Sequence, residues 1–303
     1  MIKDLFRKIV VALFQSIKGR AQIYERTFQR KQRAQMLNLK FGGSNEIIHT
    51  LFNGTRINLD KDNRLSEFIL LDDFEAPELN FCENWVKDDS FFLDIGTNIG
   101  LYSVLLAKKV EHVYSFEPHP KVREKLAANL DLNNYTNVTI CPFGISNQKD
   151  VLTLISNRSY DAWSSFSAIE NLEKVTEIDY TDEMKVDVIP LDKWVDDVFL
   201  DFSKVGLVKI DVEGWELNVL KGGARVFEKW KPLLLVEFDE NNTWSAGYTC
   251  SELYRFLVDL GYLMCEIKEG KLIESPLKVN YPSQNLFAIN PKNEDHINLL
   301  TNA

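Results

Sequence analysis

The chain has 303 residues, with 45 Asp and Glu against 35 Lys and Arg, which gives a formal net charge of −10 and a pI of about 5.1. An acidic protein of this kind is a poor match for nucleic acid, which is bound through basic surfaces. The 45% hydrophobic and 12% aromatic content can fill a sizeable core, and it excludes a disordered chain, a collagen and a coiled coil.

The charge is distributed unevenly along the chain. Residues 1–40 hold ten Lys and Arg against two Asp and Glu, a net charge of +8, which leaves −18 for the remainder. In residues 2–17 apolar side chains recur at helical spacing with basic residues between them, so we predict a basic amphipathic helical leader over residues 1–40. Two roles stay open for it: contact with an anionic membrane surface, or packing against the body of the protein or a second subunit.

Cysteine spacing and hydropathy bear on the compartment. The four cysteines lie 59, 109 and 15 residues apart with no C-x-x-C pair, which argues against a zinc ribbon or a disulfide framework. The longest apolar run near the start, residues 9–14, is far shorter than a membrane span of about 18 to 20 residues, and no small-residue cleavage site follows it. We therefore expect a cytoplasmic protein, peripheral at most at the inner face of the membrane.

The rest of the chain divides into three parts. Over residues 41–90 we predict a β-hairpin and a helical lead-in, because the sequence alternates around Asn53-Gly54, a strong hairpin signal. Over residues 91–290 short apolar strands alternate with helical segments, which predicts a parallel sheet with helices on both faces. Within that part, residues 156–185 are polar and lack a period, as a surface excursion or lid would. Residues 291–303 form a C-terminal tail.

The most informative segment is Asp94-Ile95-Gly96-Thr97-Asn98-Ile99-Gly100, between a predicted strand and a predicted helix. Glycines at this junction let a ligand lie against bare backbone, and the free N–H groups of the helix N-terminus point into the same space. A dinucleotide would favour G-x-G-x-x-G, whereas the spacing here is G-x-x-x-G, and Asp94 is unfavourable beside an anionic pyrophosphate. Asp94 suits a ligand with a cationic end, such as the sulfonium and α-ammonium of S-adenosylmethionine.

A second acid follows at the end of the next predicted strand. Glu117 lies 23 residues after Asp94, where a carboxylate can accept hydrogen bonds from both ribose hydroxyls. Residues 143–146, after the third strand, are expected to border the adenine, whereas His119 is expected to be a solvent-facing start of a helix rather than a catalytic base. We therefore predict that the cofactor is bound by Asp94, Gly96, Thr97, Asn98, Gly100, Glu117, Gly144 and Ser146.

With these motifs the sequence resembles the FkbM family of methyltransferases. The matching stretches are FFLDIGTNIGLYS at residues 91–103, VYSFEPHP at 113–120, LVKIDVEGWELNVLKGG at 207–223 and LLLVEF at 233–238, and the resemblance covers about residues 75–290. It implies an α/β class I methyltransferase (Rossmann-like) fold, with a seven-stranded, mostly parallel sheet and a C-terminal antiparallel strand. It also implies S-adenosylmethionine as methyl donor and a hydroxyl acceptor in sugars, polysaccharide precursors, glycolipids or polyketide-type metabolites.

The fourth predicted parallel strand brings charge to the site. Lys209, Asp211 and Glu213 alternate along it, so they should share one side as the strand reaches the carboxyl edge, where open α/β sheets bind ligands. Glu237 ends the fifth strand beside it. Methyl transfer to a hydroxyl requires the acceptor to be held in line and its proton to be removed. The candidate catalytic residues are therefore Lys209, Asp211, Glu213 and Glu237.

Two mechanisms stay open. In the first, Asp211, Glu213 or Glu237 is the general base. In the second, a Mg²⁺ acidifies the bound hydroxyl and takes hard oxygen ligands from four carboxylates: Asp211, Glu213, Glu237 and Asp239. We favour the base, because no histidine lies nearby and the pattern is not a dedicated metal motif. Lys209 and Glu237 could also form a structural ion pair that braces adjacent strands.

We interpret the chain as an S-adenosylmethionine-dependent O-methyltransferase that acts on a sugar hydroxyl in a nucleotide-sugar or surface-glycan precursor, a preference that the resemblance alone implies. One alternative is a secondary-metabolite hydroxyl, and another is a methyltransferase-like module that binds the nucleoside without catalysis. In the excursion, residues 163–165 could contact a sugar face or merely anchor a loop. We expect no nucleic-acid partner, and expect membrane contact or oligomerisation to involve residues 1–40.

Overall fold

The structure is a computed structural model and describes residues 31–61, 63–71, 74–157, 160–166 and 180–301. Most of the predicted basic leader lies outside the described residues, within which residues 31–41 form a helix, α1. The described residues fall into two compact units. One contains those up to Ile47 together with Asp60–Phe74, and the other contains Ile48–Leu59 and everything from Glu75 onward.

The first unit is largely helical. Its second helix, α2, covers Arg64–Leu71 and buries Leu65 and Ile69, which share one face because they are four residues apart. Arg33 of α1 forms an ion pair with Glu67 of α2, with Nε 2.6 Å from Oε1.

The predicted hairpin is confirmed. Strands β1 Glu46–Thr50 and β2 Arg56–Asp60 form a two-stranded sheet. The turn contains Gly54 at φ +85°, and the side chain of Asn53 accepts a hydrogen bond from the Thr55 amide at 3.0 Å. A positive φ at glycine and an Asn side chain bonded to the backbone two residues on are what this turn signal provides.

The second unit contains the site. After the hairpin its strands follow in the order β3 Phe91–Ile95, β4 His112–Phe116, β5 Val138–Cys141, β6 Gly144–Ile145, β7 Asp150–Asn157, β8 Tyr160–Ser165, β9 Tyr180–Ile189, β10 Val205–Ile210, β11 Leu233–Phe238, β12 Leu263–Lys268, β13 Lys271–Glu274 and β14 Gln284–Ile289. Its helices are α3 Ala76–Trp85, α4 Leu101–Leu106, α5 Pro120–Leu132, α6 Leu191–Asp197, α7 Glu216–Gly222, α8 Ala224–Trp230, α9 Glu240–Ser245, α10 Cys250–Asp259 and α11 Glu294–Thr301, the last within the predicted C-terminal tail.

Eight strands form the main sheet, in the order β13-β12-β14-β11-β10-β3-β4-β5. The five strands from β11 to β5 are parallel, and β14 is antiparallel to both β11 and β12. The central strands are mostly apolar, as strands covered by helices on both faces are; Leu233 to Val236, for example, are fully buried. This order, with an antiparallel strand inserted near one edge, confirms the class I methyltransferase fold.

The expectation of seven strands is one too few. β13 extends the edge of the sheet through a tight hairpin with β12, in which Lys268 pairs with Lys271 across Glu269-Gly270. Both turn residues have positive φ, 52° and 77°, as two-residue hairpin turns require. Glu269 is not one of the residues that favour this conformation, so the turn lacks the usual local signal.

A second sheet contains most of the described part of the predicted excursion. It has the strand order β6-β9-β7-β8 and includes residues 156–157, 160–165 and 180–185, which we had expected to be irregular. These strands escape a search for buried runs because one face stays exposed: along residues 182–188 of β9, exposed and more buried side chains alternate. Residues 167–179 lie outside the described residues.

All four cysteines are buried thiols without a disulfide, as their spacing predicts. Within the described ranges, no helix combines the length and the apolarity needed to cross a bilayer.

Candidate active site

The loop between β3 and α4 brings bare backbone to the carboxyl edge of the main sheet. Gly96 and Gly100 have φ of +83° and +93°, and a Cβ on Gly96 would lie 1.8 Å from the carbonyl oxygen of Asp211. Asn98 is also left-handed, with φ 54°, a conformation that Asn tolerates better than most residues. The Gly96 amide donates to the Phe116 carbonyl at 3.1 Å, which fixes the loop against the end of β4.

Asp94 is a buried acid with one unused oxygen. Its side chain is 1% exposed, and its Oδ2 accepts a hydrogen bond from Ser103 Oγ at 2.7 Å. Its Oδ1 is buried and accepts no hydrogen bond from any described residue. Burial raises the pKa of Asp94, and the nearby ammonium of Lys209 opposes that rise. One of the two carboxylate oxygens, Oδ1, therefore lacks a donor. Thr97 closes the turn beside Asp94 by donating from Oγ1 to the Asp94 backbone carbonyl at 2.7 Å.

Glu117 directly follows β4, with one oxygen toward the β3–α4 loop and the other toward the start of α5. Its Oε2 accepts from the Asn98 amide at 3.0 Å and its Oε1 from the His119 amide at 2.8 Å, so each oxygen keeps a second lone pair. Burial, which leaves 7% of the residue exposed, raises its pKa to about 7. His119 is 4% exposed at the start of α5, so the expectation of a solvent-facing histidine is wrong: packing beside Glu117 covers it.

Gly144 and Ser146 lie on and after β6. The Oγ of Ser146 accepts a hydrogen bond from Trp215 Nε1 at 3.0 Å, and its amide donates to the Ile189 carbonyl at 3.0 Å. These bonds hold the segment to α7 and β9. That the segment borders an adenine stays a prediction.

Lys209 and Asp211 form a nearly buried ion pair where β10 ends. Lys209 Nζ is 2.7 Å from Asp211 Oδ2, with 6% and 23% of the two side chains exposed. Burial lowers the pKa of the Lys209 ammonium, but the carboxylates of Asp211, Glu75 and Asp94 outweigh burial and raise it. The expected structural pair of Lys209 with Glu237 is therefore wrong: Lys209 takes Asp211, two residues along its own chain.

The expectation that Lys209, Asp211 and Glu213 alternate on one strand holds only in part. β10 ends at Ile210, and Glu213 adopts a left-handed φ of 52°, so its direction is set by a turn rather than by the pleat of a strand. The Glu213 carboxylate accepts from Asn242 Nδ2 at 2.8 Å, at the start of α9. Glu213 is still close enough to Asp211 to feel its charge. Burial is the main cause that raises the pKa of Glu213, and the Asp211 carboxylate is the next.

Glu237 also carries an oxygen without a partner. Its Oε2 is buried and makes no hydrogen bond with the described residues. Burial first, and then the carboxylates of Asp211, Glu213 and others, raise its pKa well above the ordinary value. Asp239, by contrast, caps α9, with Oδ1 accepting from the amides of Asn241 and Asn242 at 2.8 and 3.0 Å.

A family comparison supports what this geometry suggests. The model described as the methyltransferase FkbM domain matches residues 94–264, which is 171 of the 303 residues and includes Asp94, Glu117, Asp211 and Glu237. The chain belongs to the FkbM methyltransferase family. The loop, the ion pair and the carboxylates described above lie within the segment that matches the family.

Several known proteins are similar to this FkbM methyltransferase. Methyltransferase 1 of Beauveria bassiana (strain ARSEF 2860) is 29% identical over 147 residues, 45% of this chain and 59% of that protein. Methyltransferase sdnD of Sordaria araneosa is 27% identical over 206 residues, 58% and 75% of the two chains. Hexuronic acid methyltransferase AglP of Haloferax volcanii is 29% identical over 136 residues, 45% and 51% of the two. The matched part thus spans about half to three quarters of these relatives.

Among solved structures, methyltransferase FkbM from Methylobacillus flagellatus KT is similar with a TM-score of 0.42. It is 18% identical, and the match covers 67% of this chain and 44% of that one.

Glu75 is a residue of the site region that sequence reasoning missed. It precedes α3 with φ 50°, outside the family-matched segment. Its Oε2 accepts from Tyr102 OH and its Oε1 from Asn285 Nδ2, both at 2.7 Å, and Lys209 Nζ lies 5.0 Å from the Tyr102 ring centre. Burial raises the pKa of Glu75, and the charge of Lys209 opposes it. No local motif marks this glutamate, because its partners come from α4 and β14.

Glu216 is a second missed acid, with a structural role. Its Oε1 accepts from the amides of Val212 and Gly214 at 3.0 and 3.1 Å, and its Oε2 from Tyr248 OH at 3.0 Å. These bonds fix the turn that follows Asp211. Burial raises the pKa of Glu216 to about 7. The sequence shows Glu216 two residues after Gly214, but it does not show that the Glu216 carboxylate accepts from backbone amides of the turn and from Tyr248.

The excursion contacts the same turn. Ser165 Oγ donates to the Glu213 carbonyl at 2.9 Å, and the ring centre of Phe166 lies 5.5 Å from that of Trp215. The end of β8 thus holds the turn in place, which favours the anchoring interpretation of residues 163–165. The Trp163 side chain lies outside the part of the chain that the structure describes.

Within the described residues, no three His, Cys, Asp or Glu side chains are placed to share a metal ion. Three of the four carboxylates considered for Mg²⁺ have other partners: Asp211 pairs with Lys209, Glu213 with Asn242, and Asp239 with backbone amides at the N-terminus of α9. The geometry does not favour the metal alternative.

Proposed function

We propose that this FkbM methyltransferase uses S-adenosylmethionine to methylate a hydroxyl group of a sugar in a nucleotide-sugar or surface-glycan precursor. The observation that carries the proposal is the place of Asp211. It lies beside the Gly96 loop, it is anchored by Lys209, and it has an oxygen to spare.

Three features of the β3 and β4 ends fit S-adenosylmethionine. Asp94 Oδ1 is a buried acceptor without a donor, and an α-ammonium group would supply that donor. Glu117 has one open lone pair on each oxygen, as a ribose diol requires. Gly96 brings the backbone close without a side chain. When bound, S-adenosylmethionine supplies an electrophilic methyl group on its sulfonium.

Asp211 is the group best placed to take the proton of the hydroxyl. Its Oδ2 is held by Lys209, and its Oδ1 accepts no hydrogen bond from the described residues. Glu216 and Asp239 are committed to backbone amides. Burial is the main cause that raises the pKa values of Glu213 and Glu237, which favours their protonated forms and makes them weaker candidates for the base.

The sugar preference has a weaker support. One relative bears the name hexuronic acid methyltransferase, while the names of the two fungal relatives state no acceptor. Asp211, Glu237 and Asn285 bring carboxyl and amide groups to this end of the sheet, which suits an acceptor rich in hydroxyls.

An intact-mass assay tests the proposal. The full chain is incubated with S-adenosylmethionine and a panel of nucleotide sugars, glycan precursors and phenolic or aliphatic alcohols, and we expect a gain of ~14 Da on a sugar hydroxyl, the mass of one methylene. Asp211→Asn should lower turnover by at least ~100-fold, the scale of general base catalysis, while S-adenosylhomocysteine binds as before. Asp131→Asn, on the exposed side of α5, is the matched control.

Two outcomes would contradict the proposal. Methylation confined to nitrogen or carbon acceptors would exclude hydroxyl chemistry. Binding of S-adenosylhomocysteine without transfer to any member of the panel would favour the module that binds a nucleoside without catalysis.

A further inference from the structure

Three polar side chains stand at one level across neighbouring strands. Lys209 pairs with Leu235 and Ile210 with Val236 in the parallel register of β10 and β11, so Asp211 is level with Glu237. Glu237 in turn pairs directly with Asn285 at the start of β14. Neighbouring strands are about 4.8 Å apart, so this row extends for about 10 Å from Asp211 to Asn285.

The far end of the row has unmet hydrogen-bonding capacity. Oε2 of Glu237 and Oδ1 of Asn285 are both buried atoms that make no hydrogen bond with the described residues. Directly paired residues on antiparallel strands project from the same face, with Cβ atoms about 5 Å apart. Because buried polar atoms in native proteins nearly always have a partner, two orphaned oxygens side by side indicate a missing group.

The orientation of Asn285 is fixed rather than incidental. Its Nδ2 donates to Glu75 Oε1 at 2.7 Å, while Glu75 Oε2 accepts from Tyr102 OH at 2.7 Å. With the amide nitrogen held by Glu75, the amide oxygen must face the other way. Both Glu237 and Asn285 remain partly exposed, although the two oxygen atoms are buried, so a ligand at the sheet edge reaches these oxygens only when the Glu237 carboxyl turns about its soft terminal torsion.

We propose that Glu237 and Asn285 form a subsite for a second hydroxyl of the acceptor, so that the enzyme requires a polyhydroxylated ring rather than a lone alcohol. The inference rests on the proposed function, in which Asp211 takes the proton of the reacting hydroxyl. The second hydroxyl donates to Asn285 Oδ1 and exchanges a hydrogen bond with the Glu237 carboxyl. Asn285 is then a specificity-determining residue, and Glu75 is the positioning residue that aims it.

The chemistry of such a subsite sets a strong preference. A pocket built to hydrogen-bond a hydroxyl rejects an analogue that lacks it by up to about 10⁴-fold, because its buried polar groups are left unpaired. The row is only partly buried, so we expect a smaller effect, at least about tenfold in affinity.

Binding of small ring alcohols tests the subsite without any methyl transfer. The full chain is loaded with S-adenosylhomocysteine, and the Kd values of cis- and trans-cyclohexane-1,2-diol and of cyclohexanol are measured by ligand-detected NMR. We expect one of the diols to bind at least about tenfold more tightly than cyclohexanol. Asn285→Leu should remove the difference in affinity between the diol and cyclohexanol, whereas Asn84→Leu, at an exposed position of α3, should keep it.

Glu237→Met is the second variant and should also remove the preference. Thermal melting and S-adenosylhomocysteine binding show that each variant is folded. Equal binding of diol and cyclohexanol by the wild type, or binding of neither, overturns the subsite, as does a folded Asn285→Leu or Glu237→Met that retains the preference. An adventitious water satisfying the two oxygens would give equal binding. Failure of the proposed function would appear elsewhere, in the mass assay with Asp211→Asn.

Discussion

The ionisation of Glu117 gives the sharpest test of the cofactor site. Burial raises the pKa of this carboxyl to about 7. Ribose hydroxyls that donate to both oxygens would stabilise the charged form and lower the pKa in the complex. Binding of S-adenosylhomocysteine is therefore expected to draw on ionised Glu117 and to weaken as the pH falls through 7.

The magnitude follows from that pKa. With a pKa of about 7, roughly one tenth of the free protein has ionised Glu117 at pH 6 and roughly nine tenths at pH 8, so the Kd should rise about tenfold between pH 8 and pH 6. Glu117→Gln keeps the shape of the side chain but not the charge. Hydrogen bonds to a charged group exceed neutral ones by about 1 to 1.5 kcal/mol, or about tenfold.

Titration calorimetry of both proteins at pH 6, 7 and 8 makes the comparison. Glu117→Gln should bind about tenfold more weakly than the wild type at pH 8, show no pH dependence, and match the wild type at pH 6. Glu124→Gln, an exposed acid on α5, the helix that follows Glu117, is the control and should follow the wild type. A wild-type Kd that stays constant from pH 6 to pH 8, or a Glu117→Gln variant with unchanged affinity, would refute the ribose assignment.

Three further predictions concern the loop, the turn and the chemistry. Gly96→Ala should lower the free energy of unfolding, measured by denaturant titration, by at least about 2 kcal/mol, because the added Cβ would overlap the Asp211 carbonyl at a positive φ. Gly54→Ala is the control: it has a positive φ but no atom near the added Cβ, so it should lower the same free energy by about 1 kcal/mol. Burial gives Glu216 a pKa of about 7. The folded chain thus holds a proton that the unfolded chain releases from about pH 4.5 upward, and the free energy of unfolding should fall by up to about 3 kcal/mol as the pH rises through 7. That fall, measured at pH 5 and pH 8, should be smaller in Glu216→Gln. EDTA should leave turnover unchanged if Asp211 is the base, and activity that is lost and then restored by Mg²⁺ would contradict that assignment.

The cofactor side could be predicted because its signals are local. Asp94, Gly96 and Gly100 occupy one strand, loop and helix start, and Glu117 ends the adjacent strand. In a parallel sheet the carboxyl ends of neighbouring strands meet at one edge, so the order of elements is enough to bring these residues together. Gly96 and Gly100 both have positive φ, which is unstrained for glycine but strained for a residue with a Cβ, so the turn favours glycine at both positions.

The acceptor side could not be predicted to the same depth, because it depends on where elements end and on distant partners. A strand pattern extended past Ile210 places Glu213 by alternation, whereas the chain turns there and Asn242 fixes the carboxylate instead. Pairing of Lys209 with Glu237 across strands was plausible from sequence, but an acid two residues along the same chain is closer. A histidine at a helix start is expected to be exposed, and tertiary packing that the local sequence does not show buries His119.

The residues of the site lie both inside and outside the segment that matches the family. Asp94, Glu117 and Asp211 lie inside the segment that matches the family, residues 94–264, while Glu75 precedes it and Asn285 follows it. Yet Glu75 and Asn285 are bonded to each other beside the carboxylates of the site. The proposed hydroxyl subsite thus combines Glu237 of the matched segment with Asn285 of a flanking one. The Glu75–Asn285 contact is where acceptor choice should be altered first.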